Sequence, residues 1–360
     1  MPRHTRARID LDALRSNFRK ARQLAPESAS MAVVKADGYG HGLEPVARVL
    51  AGETDCLAVA TVGEAQRLRD AGITTAIVLL EGVHEAADWP VVSALELQPV
   101  LHSYHQLAGA EALNGEVPVW IKCNTGMNRL GVAPQEVAAF RQRLETQPGL
   151  RVVGLLSHYA CADDLSDPIT RRQQACFQRI RDDHSELQVS LANSAAHFHD
   201  PAPDCDWTRP GIMLYGGTPL IGTTGPALGL QPVMILESRI IAVRELAAGE
   251  SVGYGATWVA EADCRMGIVE IGYGDGYPRH APSGTPVAVA GHRCRLIGRV
   301  SMDMIAVDLS QCPEAETGTP VELWGHHVGV DEVAGMAGTI SYELLTGVSP
   351  RVPRTYLGGG

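Results

Sequence analysis

Eight short apolar runs, each followed by a longer stretch of mixed polar and apolar residues, constrain this chain more than any other feature. They are MAVVKA (31–36), CLAVA (56–60), AIVLL (76–80), LQPVL (97–101), VPVWIK (117–122), VVGLLS (152–157), LQVSLA (187–192) and GIMLY (211–215). A run that is apolar almost throughout suits a strand buried on both faces, the condition of parallel strands covered by helices. Between the runs, GEAQRLRDAG (63–72) and APQEVAAFRQRLETQ (133–147) read as surface helices. Eight such units predict an α/β barrel of the (β/α)8 type, with a doubly wound open sheet as the competing arrangement. LQPVL is the weakest strand, because Pro99 interrupts it. Ahead of the alternation, residues 3–9 read as a short strand. Leu11, Leu14, Phe18 and Ala21 then fall at helical spacing behind Asp10 as N-cap.

After about residue 229 the texture changes. Pro and Gly punctuate β-rich runs such as VMILESRIIAVREL, RMGIVEIGYG and GTPVAVAGHRCRLIGRV, and helical spacing returns only in DEVAGMAG and SYELLTGV. The expectation is a cofactor-binding barrel over 1–229 followed by a C-terminal, mainly antiparallel β domain over 230–360.

The formal net charge of −11 weighs against nucleic acid or an anionic membrane as partner. The leading MPRHTRARIDLDAL alternates charge with small residues, and no segment is apolar for the length of a membrane span, so the expected location is cytoplasmic. Eight cysteines are scattered without a Cys-x-x-Cys pair, which suits reduced, mostly buried thiols. His197 with His199, and His326 with His327, lack the neighbouring cysteine or carboxylate spacing that completes a metal shell, so no metal is expected.

In a barrel of this kind the chemistry lies at the carboxyl ends of the strands. Lys35 ends the first run in VVKADGYGHG, where Gly38, Gly40 and Gly42 let the backbone turn tightly around Tyr39 and His41. A lysine closing a buried strand is expected to have a lowered pKa, which suits an amine that forms an imine or acts as a base. Lys122 ends the fifth run, and Arg129 follows in CNTGMNRLG. His158 follows the sixth, Asn193 and Ser194 the seventh, and Arg209 precedes Gly211 and the eighth. Taken singly these residues have plain structural readings: a solvated cation, a core histidine, a helix cap. Together they set a reactive amine, fixed cations and an anion site around one mouth. That set suits a phosphate-bearing aldehyde, with Ser194 and the N–H groups near Gly211 and Ile212 at the phosphate. Pyridoxal 5'-phosphate is such a cofactor and acts as an electron sink for a carbanion.

The chain resembles the bacterial alanine racemase family over essentially its full length. VVKADGYGHG is similar to the cofactor-lysine motif, KCNTGMNRLG to the substrate-carboxylate loop, and TRPGIMLYG to the phosphate and ring-nitrogen motif. VGYGATW, IGYGDGYPR, GRVSMDM and ISYE resemble later family blocks, in the family's order. The resemblance implies a pyridoxal-phosphate isomerase interconverting L- and D-alanine, and a head-to-tail homodimer with shared active sites. Lys35 would hold the cofactor and act as one base, with Tyr254 of the other subunit as the second. Tyr39, Ser194, Gly211, Ile212 and Tyr342 would hold the phosphate; Arg209 would meet the ring nitrogen, with His158 beside it. Arg129 and the Met302 backbone would bind the substrate carboxylate, Tyr273 would line the mouth, and Lys122 would correspond to a lysine that is often carbamylated.

Two departures stand out: Cys123-Asn124 where Leu-Asp is usual, and Asp37-Gly38 where Asn-Ala is commoner. Racemisation of serine or of several amino acids is the alternative activity, since one hydroxyl is poorly rejected by an apolar pocket; the bulk of Tyr342 favours alanine. A non-catalytic cofactor-carrying barrel and a cofactor-free Schiff-base lyase are the remaining rivals.

Overall fold

A computed structural model describes residues 3–113, 115–199 and 204–359. The expected bounds at residues 1 and 360 lie outside them. The chain opens with β1 (Arg6–Asp10) and the helix Leu11–Leu24, where the Asp10 carboxylate accepts from the N–H groups of Asp12 and Ala13. Leu11, Leu14, Phe18 and Ala21 all lie on its buried face, as their spacing predicts.

Eight parallel strands then close into a barrel: β2 (Ala29–Val33), β3 (Cys56–Val59), β4 (Ala76–Leu79), β5 (Leu97–Leu101), β6 (Val117–Lys122), β7 (Leu150–Leu156), β8 (Gln188–Asn193) and β9 (Trp207–Arg209). β2 pairs β9 to complete the ring, and the open-sheet alternative falls away. Pro99 stays in β5, in register with Leu79.

Two expectations need correction. The eighth strand is Trp207–Arg209, not GIMLY; residues Ile212–Tyr215 form a single 3-10 turn with all four side chains buried. Pro210 lacks an N–H, and Gly211 (φ −123°, ψ −97°) turns the chain out of the ladder. A short apolar run buried on all sides reads alike as strand or helix from periodicity.

The second correction concerns the barrel's starting point. β1 pairs antiparallel with β10 (Met234–Leu246) and parallel with Arg354–Leu357, so the first strand belongs to the second sheet. That eight-stranded sheet also contains Cys264–Val269, Pro286–Val289, His292–Ile297, Ile305–Asp308 and Pro320–Trp324, and all of its other pairings are antiparallel. The helix Ser341–Thr346 returns from this half to the barrel mouth and carries Tyr342. No helix among the described residues is long and apolar enough to cross a membrane.

Candidate active site

Lys35 stands just beyond β2 rather than on it. The chain passes Lys35 into one left-handed turn, with φ of 53°, 53°, 61° and 52° at Ala36, Asp37, Gly38 and Tyr39. L-residues adopt this conformation at a cost of about 1–2 kcal/mol each, so surrounding contacts must hold it. Gly40 continues the left-handed path (φ 79°), and a Cβ there would collide with the Leu345 carbonyl.

The turn places Lys35 and Tyr39 on a cavity of about 560 Å³ at the carboxyl ends of the barrel strands. Lys35, Lys122, Arg129 and Arg209 all line it, against Glu81 as the one carboxylate among the described lining residues. This excess of positive groups calls for an anionic occupant.

One wall is an anion cradle. The Gly211 N–H donates to Ser194 Oγ at 2.7 Å. A Cβ on Gly211 would stand 2.6 Å from the Tyr39 hydroxyl and 3.8 Å from Ser194 Oγ, so glycine alone leaves these groups room to converge. The Tyr39 ring stacks on Tyr215 at 4.6 Å and meets Tyr342 at 6.1 Å. Burial raises both the Tyr39 and the Tyr342 phenols well above their ordinary pKa, so both stay protonated and able to donate. Two phenols, a hydroxyl and the leading amides of the Ile212–Tyr215 turn are the donors a phosphate needs.

The opposite wall is built around Arg209, 4% exposed. Its Nη1 donates to Ser190 Oγ at 2.5 Å, and Nη2 to the Ser157 carbonyl at 2.6 Å. Burial lowers the guanidinium to about 10, which still leaves it charged at neutral pH. Nη2 also lies 3.2 Å from His158 Nδ1. A guanidinium only donates, so Nδ1 is the acceptor and any proton on a neutral His158 sits on Nε2. Burial first, then the charge of Arg209, push His158 well below its usual pKa, which fixes that neutral state. The same two causes push Lys122 well below the usual lysine value.

The loop between β6 and Arg129 is fastened by Asn124. Its Oδ1 accepts from the N–H groups of Gly126 and Asn128, at 3.1 and 3.0 Å, and its Nδ2 donates to Asn128 Oδ1 at 3.0 Å. Both backbone bonds are ones an aspartate also accepts, so the departure at position 124 keeps the loop and removes one negative charge.

The cavity gathers Lys35, Tyr39, Lys122, Arg129, His158, Ser194, Arg209, Gly211, Ile212 and Tyr342. It does not gather Tyr254, Tyr273 or Met302, which lie on the β domain, 70%, 41% and 54% exposed. His197 and His199 each bond a backbone carbonyl instead, and His327 pairs with Glu322. No group of three or more metal-ligating side chains occurs among the described residues.

Sequence reasoning missed the supporting shell. Gln173 is buried on the helix Pro168–Asp182, donates to the His158 carbonyl at 2.9 Å and to Thr125 at 3.3 Å, and accepts from the Ala160 N–H. Ser157 links Thr125 to the Cys123 carbonyl, and Tyr215 donates to the Val33 carbonyl at the end of β2. Only a polar residue on an otherwise buried helix face hinted at Gln173; nothing local marked the others.

The family description for the alanine racemase N-terminal domain matches residues 9–219, and that for the alanine racemase C-terminal domain matches residues 233–356. The chain belongs to the alanine racemase family. The alanine racemase of Marinobacter nauticus is 54% identical over 359 residues, covering 99% of this chain and 100% of that one. The biosynthetic alanine racemase of Pseudomonas aeruginosa is 49% identical over 352 residues, 97% of this chain and 98% of the other. A crystal structure of biosynthetic alanine racemase from Pseudomonas aeruginosa superposes with a TM-score of 0.95 at 48% identity, covering 99% of this chain and all of that one. Both halves of the alanine racemase architecture, barrel and β domain, are therefore present.

Proposed function

We propose that this chain is an isomerase that interconverts L- and D-alanine, using pyridoxal 5'-phosphate held in the cavity and a proton carrier on each face of the substrate. The observation that carries the reading is that Lys35 and the buried, donor-only Arg209 line one cavity with Tyr39, Ser194 and Gly211, the last two hydrogen-bonded to each other. When bound, the pyridoxal group supplies an electron-accepting ring that stabilises the carbanion left at the substrate Cα.

The residues then divide the work. Lys35 holds the cofactor through its amine and moves the proton on one face. Tyr39, Ser194, Gly211, Ile212 and Tyr342 hold the phosphate. Arg209 would hold the ring nitrogen as a donor only, which would leave that nitrogen unprotonated and limit side reactions such as transamination. His158 accepts from Arg209 and fixes its plane. Arg129, with the Met302 N–H of a second copy, would hold the substrate carboxylate. Lys122, whose pKa burial lowers, would as a carbamate supply the negative charge that Asn124 does not.

Tyr254 reaches Lys35 in this reading from a second copy, in a head-to-tail homodimer. Support comes from the exposure of Tyr254, Tyr273, Met302 and Met304 on the β domain, where the loops of Tyr273 and Met302 are hydrogen-bonded to each other. A contiguous exposed apolar patch marks an interaction surface. All eight cysteines are free thiols, the state a reducing cytoplasm maintains.

The test is racemase assay of the purified protein on L-alanine and L-serine, beside Lys35→Ala and Tyr254→Phe. Lys35→Ala is expected to lose the visible absorbance of bound cofactor. Tyr254→Phe is expected to keep it while turnover falls about 10²–10⁴-fold, the range of a lost acid–base group. Near-normal turnover in Tyr254→Phe would remove that residue as the second base, and equal turnover of L-serine would widen the substrate class.

A further inference from the structure

We propose that Glu64, on the neighbouring β-α unit, is a positioning residue for Lys35: it braces the left-handed turn that carries the lysine. The proposal rests on Lys35 being the cofactor lysine. Glu64 lies in the first turn of the helix Val62–Asp70, and its two carboxylate oxygens do different things. Oε2 accepts from the N–H groups of Ala60 and Thr61, at 2.9 and 3.3 Å, which is the capping box of its own helix. Oε1 instead crosses to the first β-α unit and accepts from the N–H of Ala36 at 2.7 Å. Ala36 is the residue immediately after Lys35 and the first with positive φ.

The same helix grips the turn once more, through Arg67. Its Nη2 lies 2.9 Å from Asp37 Oδ1, and its guanidinium also forks onto Glu44. Asp37 Oδ1 in turn accepts from the N–H of Leu43. Position 37, one of the two departures from the family motif, thus has an ion-pair partner. Three non-glycine residues in left-handed conformation persist only where the surroundings over-determine them. Glu64 and Arg67 hold consecutive residues of that turn, and release of either lets the backbone at Lys35 relax and move its amine from the cofactor.

Glu64→Gln separates the two roles. An amide keeps a single acceptor oxygen, so it can serve the helix cap or Ala36 but not both with the strength of a carboxylate. Thr61→Ala is the control: it removes the reciprocal half of the capping box and leaves the bond to Ala36. The measurements are pyridoxal 5'-phosphate affinity, from visible absorbance after dialysis and re-addition, and kcat and KM for L-alanine. Glu64→Gln is expected to weaken cofactor affinity and lower kcat about tenfold, the effect of losing a hydrogen bond to a charged group, with KM little changed. Arg67→Gln is expected to shift both in the same direction by a smaller factor. Thr61→Ala is expected to lower the melting temperature while leaving affinity and kcat within about twofold, as a helix cap alone does. Equal cofactor behaviour in Glu64→Gln and Thr61→Ala, or wild-type behaviour in Glu64→Gln, would overturn the proposal alone. Should the wild-type absorbance survive Lys35→Ala, the reading of Lys35 falls, and this proposal with it.

Discussion

Several side chains in this protein are held in the protonation state their neighbours require. His41 Nδ1 faces the carbonyls of Tyr39 and Gly38, at 2.8 and 3.1 Å; since carbonyls only accept, Nδ1 carries the proton. Its Nε2 is buried without a partner among the described residues. Burial lowers His41 to about 4, and burial likewise lowers His197 to about 4. The sign of the linkage follows. Below pH 6.5 the unfolded chain takes up these protons while the folded chain refuses them until about pH 4, so stability falls as pH drops through that window. At pH 5 the loss is about 2 kcal/mol per histidine relative to pH 8. Urea denaturation at pH 8 and pH 5 is expected to show the drop, and His41→Gln a shallower one; an unchanged slope in the variant would mean that His41 titrates normally. Arg209 and His158 follow the same logic for function, because a donor that cannot lose its proton dictates the tautomer of the ring beside it.

At the scale of elements, the start and the buried face of the helix Leu11–Leu24 were legible. Its N-cap, its apolar stripe and its buried face all follow from spacing within one segment. Asp10→Ala is expected to cost about 1 kcal/mol, the usual worth of an N-cap side chain, measured by equilibrium unfolding. The left-handed turn after Lys35 was only half legible. Gly38, Gly40 and Gly42 announced a tight turn, but Ala36, Asp37 and Tyr39 share the same backbone region without the licence glycine has. What permits them is a helix elsewhere in the chain, through Glu64 and Arg67. GIMLY shows the limit from the other side. Four buried apolar residues carry no period, so the proline and glycine ahead of them, together with the barrel already closed by β9, decide that they turn rather than extend.

At the scale of the whole molecule, the C-terminal half brings only Tyr342 of its expected site residues to its own chain's cavity. Tyr254, Tyr273 and Met302 are exposed, while Tyr342 of the C-terminal half lines the cavity together with the groups the barrel carries. If two copies pair head to tail, Lys35→Ala and Tyr254→Phe damage different halves of each shared site. Mixing the two inactive variants through an unfolding and refolding cycle is expected to restore about a quarter of wild-type activity, because half the dimers are mixed and each holds one intact site. No recovery, with mixed dimers present by mass analysis, would place both bases in one chain. The sequence by itself located seven of the eight barrel strands and the first helix, because alternation and capping are local properties. Only the tertiary structure decided that the first strand joins the second sheet, that Gln173 and Glu64 bond the backbone at His158 and beside Lys35, and that His158 is a neutral acceptor. Each of those depends on which distant segment packs against which, and no period within a segment encodes its partner.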